Sequence, residues 1–526
     1  MRFLCGRFLD RRLLCRSANL ALVLSLCAGC ICCGGGSSTP STAAATSQVS
    51  GTTTPTLAQA DVQSLVQNAA ASVSDALVIA VVDRAGRILA VFQKPGAPQT
   101  ALGDFGNTVN SNDLAVSLAR TAAFFSDDEA PLSSRTVRFI SGIHFPPGVV
   151  GASSGGLYGI ENTNHGCPLN VNFSPGQAVP PSGSFDGSTI GLGITTGKPD
   201  FMDSDPNAVN PGGIPIFKDG AEVGGIGVVG STPAISEFAA FSGVSGAGFL
   251  PNLPPPGAVF IDGIELPFVL QTTMPAGASA GTATGTYIGG GPLASPGPAP
   301  EGFIVAAAAG PLGGLSVSDV NNIVTNAINT ANQTRGNIRV PTGQTARMII
   351  TVADLDGTVL AIYRMQDSLF DALDVTVAKA RNAVYFAGTQ FNPADLPGVP
   401  VGTAMTSRAV GFGAQPLFPS GIEATNPGPF FQLYMNDVNH PCTQGSQPAN
   451  PNQNGIIFFP GSVPLYRNGM LVGGLGVSGD GVDQDDFVAA GGAQGFEAPA
   501  AIRSDQIVID NVRLPYLKFP RNATLP

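Results

Sequence analysis

Gly213-Ile-Pro-Ile-Phe-Lys-Asp-Gly-Ala-Glu-Val-Gly-Gly-Ile-Gly-Val-Val-Gly230 and Ser462-Val-Pro-Leu-Tyr-Arg-Asn-Gly-Met-Leu-Val-Gly-Gly-Leu-Gly-Val-Ser-Gly479 are two versions of one stretch. Each is a run of strand formers, a turn at Asp219-Gly220 or Asn468-Gly469, and a second run of strand formers. Asp-Gly and Asn-Gly supply the positive φ that a tight turn needs, so each version predicts a β-hairpin. Both end in a Gly-x-Gly-x-x-Gly pattern, from Gly225 and from Gly474. That pattern does not indicate a dinucleotide site here. It lies inside a hairpin strand instead of a turn after a parallel strand, and no acid follows at about 20 residues in a βαβ unit. Glycines in such a strand are expected to let a helix pack closely on the sheet.

Outward from the hairpins, the rest of the chain also repeats. Val62, Leu65, Val66 and Ala69 follow helical spacing, which predicts a helix over 57–71; Val320, Ile323, Val324 and Ala327 reproduce the stripe. Leu77 to Val82, the turn Asp83-Arg-Ala-Gly86 and Arg87 to Phe92 predict strand, turn and strand, and Asp354-Leu-Asp-Gly357 answers that turn. Asp113 to Phe125 is answered by Asp374 to Phe386, with Arg381 matching Arg120. Ser133-Ser-Arg-Thr-Val137 is answered by Thr406-Ser-Arg-Ala-Val410, so Arg408 matches Arg135. Asn164-His-Gly-Cys167 is answered by Asn439-His-Pro-Cys442. Val259 to Pro267 predicts one further strand, answered by Ile507 to Pro515. The expected architecture is a tandem duplication of an α+β domain. Each copy has an antiparallel sheet of about five strands flanked by helices, and the two pack as a pseudo-dimer. The domains are expected at 55–268 and 314–526, joined by a Gly/Ala/Pro-rich linker or mobile loop at 269–313 that is too poor in core-forming residues to build a core.

The 526 residues exceed what one core usually holds. A net charge of −11 argues against a nucleic-acid partner, because phosphates select basic surfaces. Residues 1–33 read as a signal segment: Arg2, Arg7, Arg11, Arg12 and Arg16 precede a short apolar run, Leu20 to Leu26. That run is shorter than the roughly 20 residues a transmembrane helix needs. Ala28-Gly29-Cys30 before a Gly/Ser/Thr-rich tether (34–54) resembles a bacterial lipobox with Cys30 as the lipidated residue, despite Cys27 where Leu is preferred. This predicts an extracytoplasmic protein, in periplasm or at the cell surface, touching membrane only through a lipid anchor; simple secretion is the alternative. Beyond the leader only Cys167 and Cys442 remain, and two cysteines in an exported chain suggest one disulfide.

Val81-Val-Asp-Arg-Ala-Gly86, Asp374-Val-Thr-Val-Ala-Lys-Ala-Arg381 and the two hairpin stretches together resemble the GlcG/HbpS-like haem-binding family, which includes the C-terminal domain of PduO-type proteins. The resemblance spans most of both units. It implies an antiparallel sheet flanked by helices, a tendency to oligomerise, and binding of haem or iron. No His lies in the first helix of either unit, where PduO-type domains are expected to supply a haem ligand.

His165 and His440, each two residues before a Cys, are the candidate metal or haem ligands; imidazole and thiolate both suit transition metals and haem iron. A Cys167–Cys442 disulfide across the pseudo-twofold would bring them together, as paired axial ligands to one haem. The competing reading makes Asn-His-x-Cys a structural turn whose His caps backbone groups. Arg120, Arg381, Arg135 and Arg408 would grip carboxylates such as haem propionates, or else form internal ion pairs. Asp83 and Asp354 fit Asx turns. Asp480, Asp483, Asp485 and Asp486 offer hard oxygens for iron or calcium, or simply favour a helix N-terminus. No HExxH or P-loop occurs, and no residue is assigned a catalytic role. The leading expectation is an extracytoplasmic haem, tetrapyrrole or iron binder, acting in sensing or uptake. The alternatives are a surface interaction lipoprotein without ligand and a haem-degrading or redox enzyme.

Overall fold

Helix α1, Gln59–Ser72, opens the first half and buries the expected stripe, Val62, Leu65, Val66 and Ala69. The computed structural model describes residues 55–163, 165–172, 193–196, 205, 207–254, 257–369, 371–419 and 422–525. The expected signal segment, tether and Cys30 lie outside them. Strands β1 (Val78–Asp83) and β2 (Ile88–Gln93) pair antiparallel. Asp83 closes their turn as an Asx residue: its Oδ1 accepts from the backbone N–H of Ala85 at 3.0 Å and of Arg87 at 2.9 Å. A short hairpin, β3 (Thr100–Leu102) and β4 (Thr108–Asn110), leads into α2 (Ser111–Phe125), then α3 (Ser134–Ser141), capped by the Ser133 hydroxyl.

The first of the two matched stretches forms β5 (Gly213–Lys218) and β6 (Ala221–Val229), with Asp219 and Gly220 both at positive φ. Helix α4 (Pro233–Ala247) follows, with the Thr232 hydroxyl as N-cap and Gly248 ending it in the left-handed region. One expectation needs correcting. Val259 to Pro267 is a separate small hairpin, β7 (Val259–Ile261) and β8 (Ile264–Leu266), because Asp262 and Gly263 both take positive φ and turn the chain back.

The segment expected to be a linker or mobile loop also supplies strands. Its β9 (Thr286–Tyr287) pairs with β2, and its β10 (Gly302–Val305) pairs with a strand of the second sheet. An outer strand needs backbone N–H and C=O groups more than an apolar run, so a Gly/Ala/Pro-rich composition did not announce it.

The second half contains α5 (Val317–Ala331), β11 (Ile349–Ala353), β12 (Val359–Arg364), α6 (Ala372–Ala387), α7 (Ser407–Gly413) and α8 (Phe431–Asn439). The second matched stretch gives β13 (Ser462–Arg467) and β14 (Met470–Ser478), followed by α9 (Val482–Gly492). The expected last strand is again a hairpin, β15 (Val508–Ile509) and β16 (Val512–Arg513), turned at Asp510 and Asn511.

The two five-stranded antiparallel sheets share one strand order, β5-β6-β1-β2-β9 and β13-β14-β11-β12-β10, so the fold is α+β as expected. Pro215 and Pro464 sit on the outer strands β5 and β13, where a missing N–H is tolerated. Alternation along β1 sorts its side chains. Ile79 and Val81 face α1 and α4, while Val78, Ala80 and Val82 join a core shared by both halves. That core contains α2 residues such as Leu114 and Phe124, α6 residues such as Val377, and Ile349 and Ile362 of the second sheet. A matching outer core packs α5 and α9 on the second sheet. The strand glycines serve helix packing. A Cβ on Gly225 or Gly227 would strike the carbonyls of Ala119 or Ala115 in α2, and one on Gly474 or Gly476 those of Ala380 or Thr376 in α6.

Candidate functional site

Cys167 and Cys442 are joined in a disulfide with a Cα–Cα distance of 5.4 Å, bridging 275 residues and tying the two halves together. It does not bring the two matched histidines into one ligand site. His165 has intermediate exposure overall, but its Nε2 is sealed from solvent without a hydrogen-bond partner. It lines a void of about 10 Å³, too small for any macrocycle, and burial pushes its pKa down to about 4. His440 is exposed at the end of α8, where its Nδ1 lies 3.2 Å from the Asn436 carbonyl oxygen. The expected pair of axial ligands is therefore replaced by one enclosed imidazole and one that caps a helix.

The four arginines are internal ties rather than free cations. Arg120 Nε donates to the Gly86 carbonyl at 2.9 Å, and Arg381 Nε donates to the Gly357 carbonyl at the same distance. Arg381 also donates to Asn454 Oδ1 at 2.9 Å and to the Leu169 carbonyl at 2.6 Å. Arg135 grips Glu237 with two nitrogens at 2.7 and 2.9 Å, pinning α3 to α4. Arg408 does the same for α7 and α9 through Asp483 and Asp486. Each of the four is thus engaged by the protein's own oxygens, and Arg381 also lines a cavity in the second half. The acidic cluster is likewise engaged: Asp485 pairs with buried Lys379 at 2.8 Å, and Asp480 accepts from the backbone N–H of Arg339 and Arg347. Among the described residues no group of three His, Cys, Asp or Glu is placed to hold a metal ion.

What the structure does provide is a cavity of about 580 Å³ in the second half, between α6, the β13–β14 hairpin and the loop after α8. Leu355, Val384, Ala387, Leu471 and Ile502 give it apolar walls. Two of its lining residues carry a buried, unsatisfied polar atom, Tyr466 Oη and Gln444 Nε2. Tyr466 is only 4% exposed and Gln444 2%. Burial pushes the Tyr466 phenol up to about 12, so alone it keeps its proton at neutral pH. The other phenol, Tyr385, donates to Asp395 Oδ2 at 2.7 Å and accepts from the Asn392 N–H at 3.3 Å.

Tyr466 is held in place by its strand. Its N–H donates to the Phe496 carbonyl at 2.8 Å, and the pairing of β13 with β14 shifts register between Leu465 and Tyr466. The first half repeats both features at Phe217, whose N–H donates to the Phe249 carbonyl at 2.9 Å, but there the hydroxyl is missing. Leu169 stands where the second half has Gln444, counted from the matched His-x-Cys. Neither Tyr466 nor Gln444 was singled out from sequence. The available signal was the Phe/Tyr difference between otherwise matched hairpins.

A second cavity, about 540 Å³, lies between the halves, lined by Phe125, Leu132, Phe145, Val259 and Ile338 among others. Its lining has carboxylates and hydroxyls but no phenol, imidazole or sulfur.

Residues 315–494 match the family model described as haem degrading protein HbpS-like. The second half carries an HbpS-like domain. The match runs from the start of α5 to the end of α9 and contains both Gln444 and Tyr466 of the cavity. Among solved structures, the PduOC:heme complex aligns with 20% identity over 35% of this chain and 96% of its own, at a TM-score of 0.23. Klebsiella pneumoniae protein ORFY aligns with 18% identity over 34% of this chain and 88% of its own, at 0.22. A double mutant of Streptomyces reticuli HbpS aligns with 17% identity over 34% of this chain and 85% of its own, at 0.20. The comparison with curated proteins gave no match.

Proposed function

We propose that the protein binds haem, or a closely related tetrapyrrole, outside the cytoplasm, and that the HbpS-like half holds it. The observation that carries this reading is a coincidence of place. The segment that matches the haem-associated family model also lines a cavity of about 580 Å³ with apolar walls and a buried, unsatisfied phenol. Small-molecule sites have this character, mostly apolar with a few convergent polar groups and a volume of about 300–1,000 Å³. The residues fit a flat apolar macrocycle carrying a metal. Leu355, Val384, Leu471 and Ile502 would face the ring, and Tyr466 and Gln444 would meet its polar parts. Haem supplies a redox-active iron when bound; the chain supplies the apolar walls and the polar anchors. The basic leader, the lipobox-like Ala28-Gly29-Cys30 and the Cys167–Cys442 disulfide support an exported, lipid-anchored protein that carries or senses haem.

A haemin titration followed by absorbance tests this reading, with a His165→Ala/His440→Ala double variant beside the unaltered protein. A saturable Soret shift at one haemin per chain, kept by the double variant, is expected, since the first half has Phe217 and Leu169 at the matching places. No saturable shift would leave a surface interaction protein as the better description.

A further inference from the structure

Deepening that reading, and resting on it, we infer that the phenol oxygen of Tyr466 is the protein's ligand to the ferric iron of the bound tetrapyrrole. A buried hydroxyl that makes no hydrogen bond is unfavourable by roughly 1–3 kcal/mol, so such a group calls for a partner that enters from outside the chain. Tyr466 is in that state, and the residue is among those lining a cavity large enough for a macrocycle, so a small shift of the ring would present the oxygen to a ligand there.

The other side chains at the cavity do not compete well. Tyr385 is engaged by Asp395 and Asn392, and Met470 sits at the hairpin tip with 68% of its surface exposed. The lining contains no His and no Cys. Phenol oxygen is an established kind of axial donor to haem iron. Its buried proton is held to about pH 12, so the Lewis acidity of ferric iron has to displace it. In that step the phenol O–H bond and the bond from iron to its water ligand would break, an oxygen–iron bond would form, the water would leave, one proton would pass to solvent, and the iron would stay ferric. Gln444 Nε2, the second unsatisfied atom, is a donor only and therefore suits an acceptor on the ring's periphery, such as a carboxylate.

The substitution that tests this already has a counterpart in the same chain. Phe217 occupies the matching hairpin position of the first half with the same backbone bond, so Tyr466→Phe removes the oxygen and keeps the packing. The full chain, its Tyr466→Phe variant and its Tyr466→His variant would each be titrated with ferric haemin, and the complexes examined by visible absorption, resonance Raman and EPR. The expected result is a high-spin ferric phenolate signature in the unaltered protein. Tyr466→Phe should lose it and bind about tenfold more weakly or worse, and Tyr466→His should replace it with an imidazole spectrum. Release of one proton per haemin bound should vanish in Tyr466→Phe. If Tyr466→Phe binds haemin with an unchanged spectrum, the ligand assignment is wrong and haem binding stands. If the unaltered, folded protein binds no haemin, both fall.

Discussion

Arg381 donates a hydrogen bond from α6 to the carbonyl of Leu169, 2.6 Å away in the other half of the chain and two residues beyond the disulfide-bonded Cys167. The same guanidinium holds the Gly357 turn and the Asn454 side chain. One residue thus connects a helix, a hairpin turn and the partner half. Arg381→Met keeps most of the aliphatic bulk but leaves three buried acceptors without their donor. We expect it to lower unfolding stability by about 3 kcal/mol, read as a lower denaturant midpoint at an unchanged slope.

The disulfide closes a loop of 275 residues, so reduction should lower stability by about 4 kcal/mol, within the wide scatter of such effects. The halves also share an apolar core, and the reduced protein should remain folded at neutral pH. Thiol counting in denaturant should find Cys167 and Cys442 unreactive before reduction and reactive after it, with a mobility shift on a non-reducing gel. Two free thiols in the native protein would contradict the pairing.

His165 gives the stability a pH dependence whose sign can be worked out. Its folded pKa, about 4, lies below the ordinary 6.5, so between those values the unfolded chain binds a proton that the native one refuses. Stability from this residue is complete above about pH 6.5 and declines as pH falls toward 4, by up to about 3 kcal/mol. His165→Gln should flatten that part of the profile, measured as Tm against pH. An equal acid sensitivity in the variant would move the cause to another group.

Gly227 and Gly476 lie beneath carbonyls of α2 and α6. Gly227→Ala or Gly476→Ala should cost about 3 kcal/mol each, because helix and sheet must separate to admit the methyl group. Gly291→Ala, where a Cβ would meet nothing within 4 Å, should be close to neutral in the same thermal unfolding assay.

These glycines also illustrate how much was legible in the sequence. The hairpins, the central helices and the close helix–sheet approach followed from Asp-Gly and Asn-Gly turns, apolar spacing and glycine position, all of which are local. The roles of Arg120, Arg135, Arg381 and Arg408 were narrowed to two readings, and the partner oxygens that decide between them come from distant segments. Strand β9 is too short to leave a mark on composition, and β10, Gly302-Phe-Ile-Val305, is a brief run of strand formers masked by the Gly/Ala/Pro-rich stretch around it. Asp262-Gly263 was a turn signal inside an apparent strand, and it outweighed the β-branched residues around it. Tyr466 was hidden because a buried strand aromatic is ordinary; only its unsatisfied oxygen sets it apart, and that depends on the whole surrounding structure.

The segment between the halves has a consequence for how the protein can associate. One outer edge of each sheet is occupied by a strand from that segment, two residues long in β9 and four in β10. The opposite edges, β5 and β13, each carry a proline. None of the four borders therefore offers a long, flat ladder of free backbone groups onto which another polypeptide could extend the sheet. Among the described residues, the borders of these two sheets are thereby guarded against fibre-like stacking.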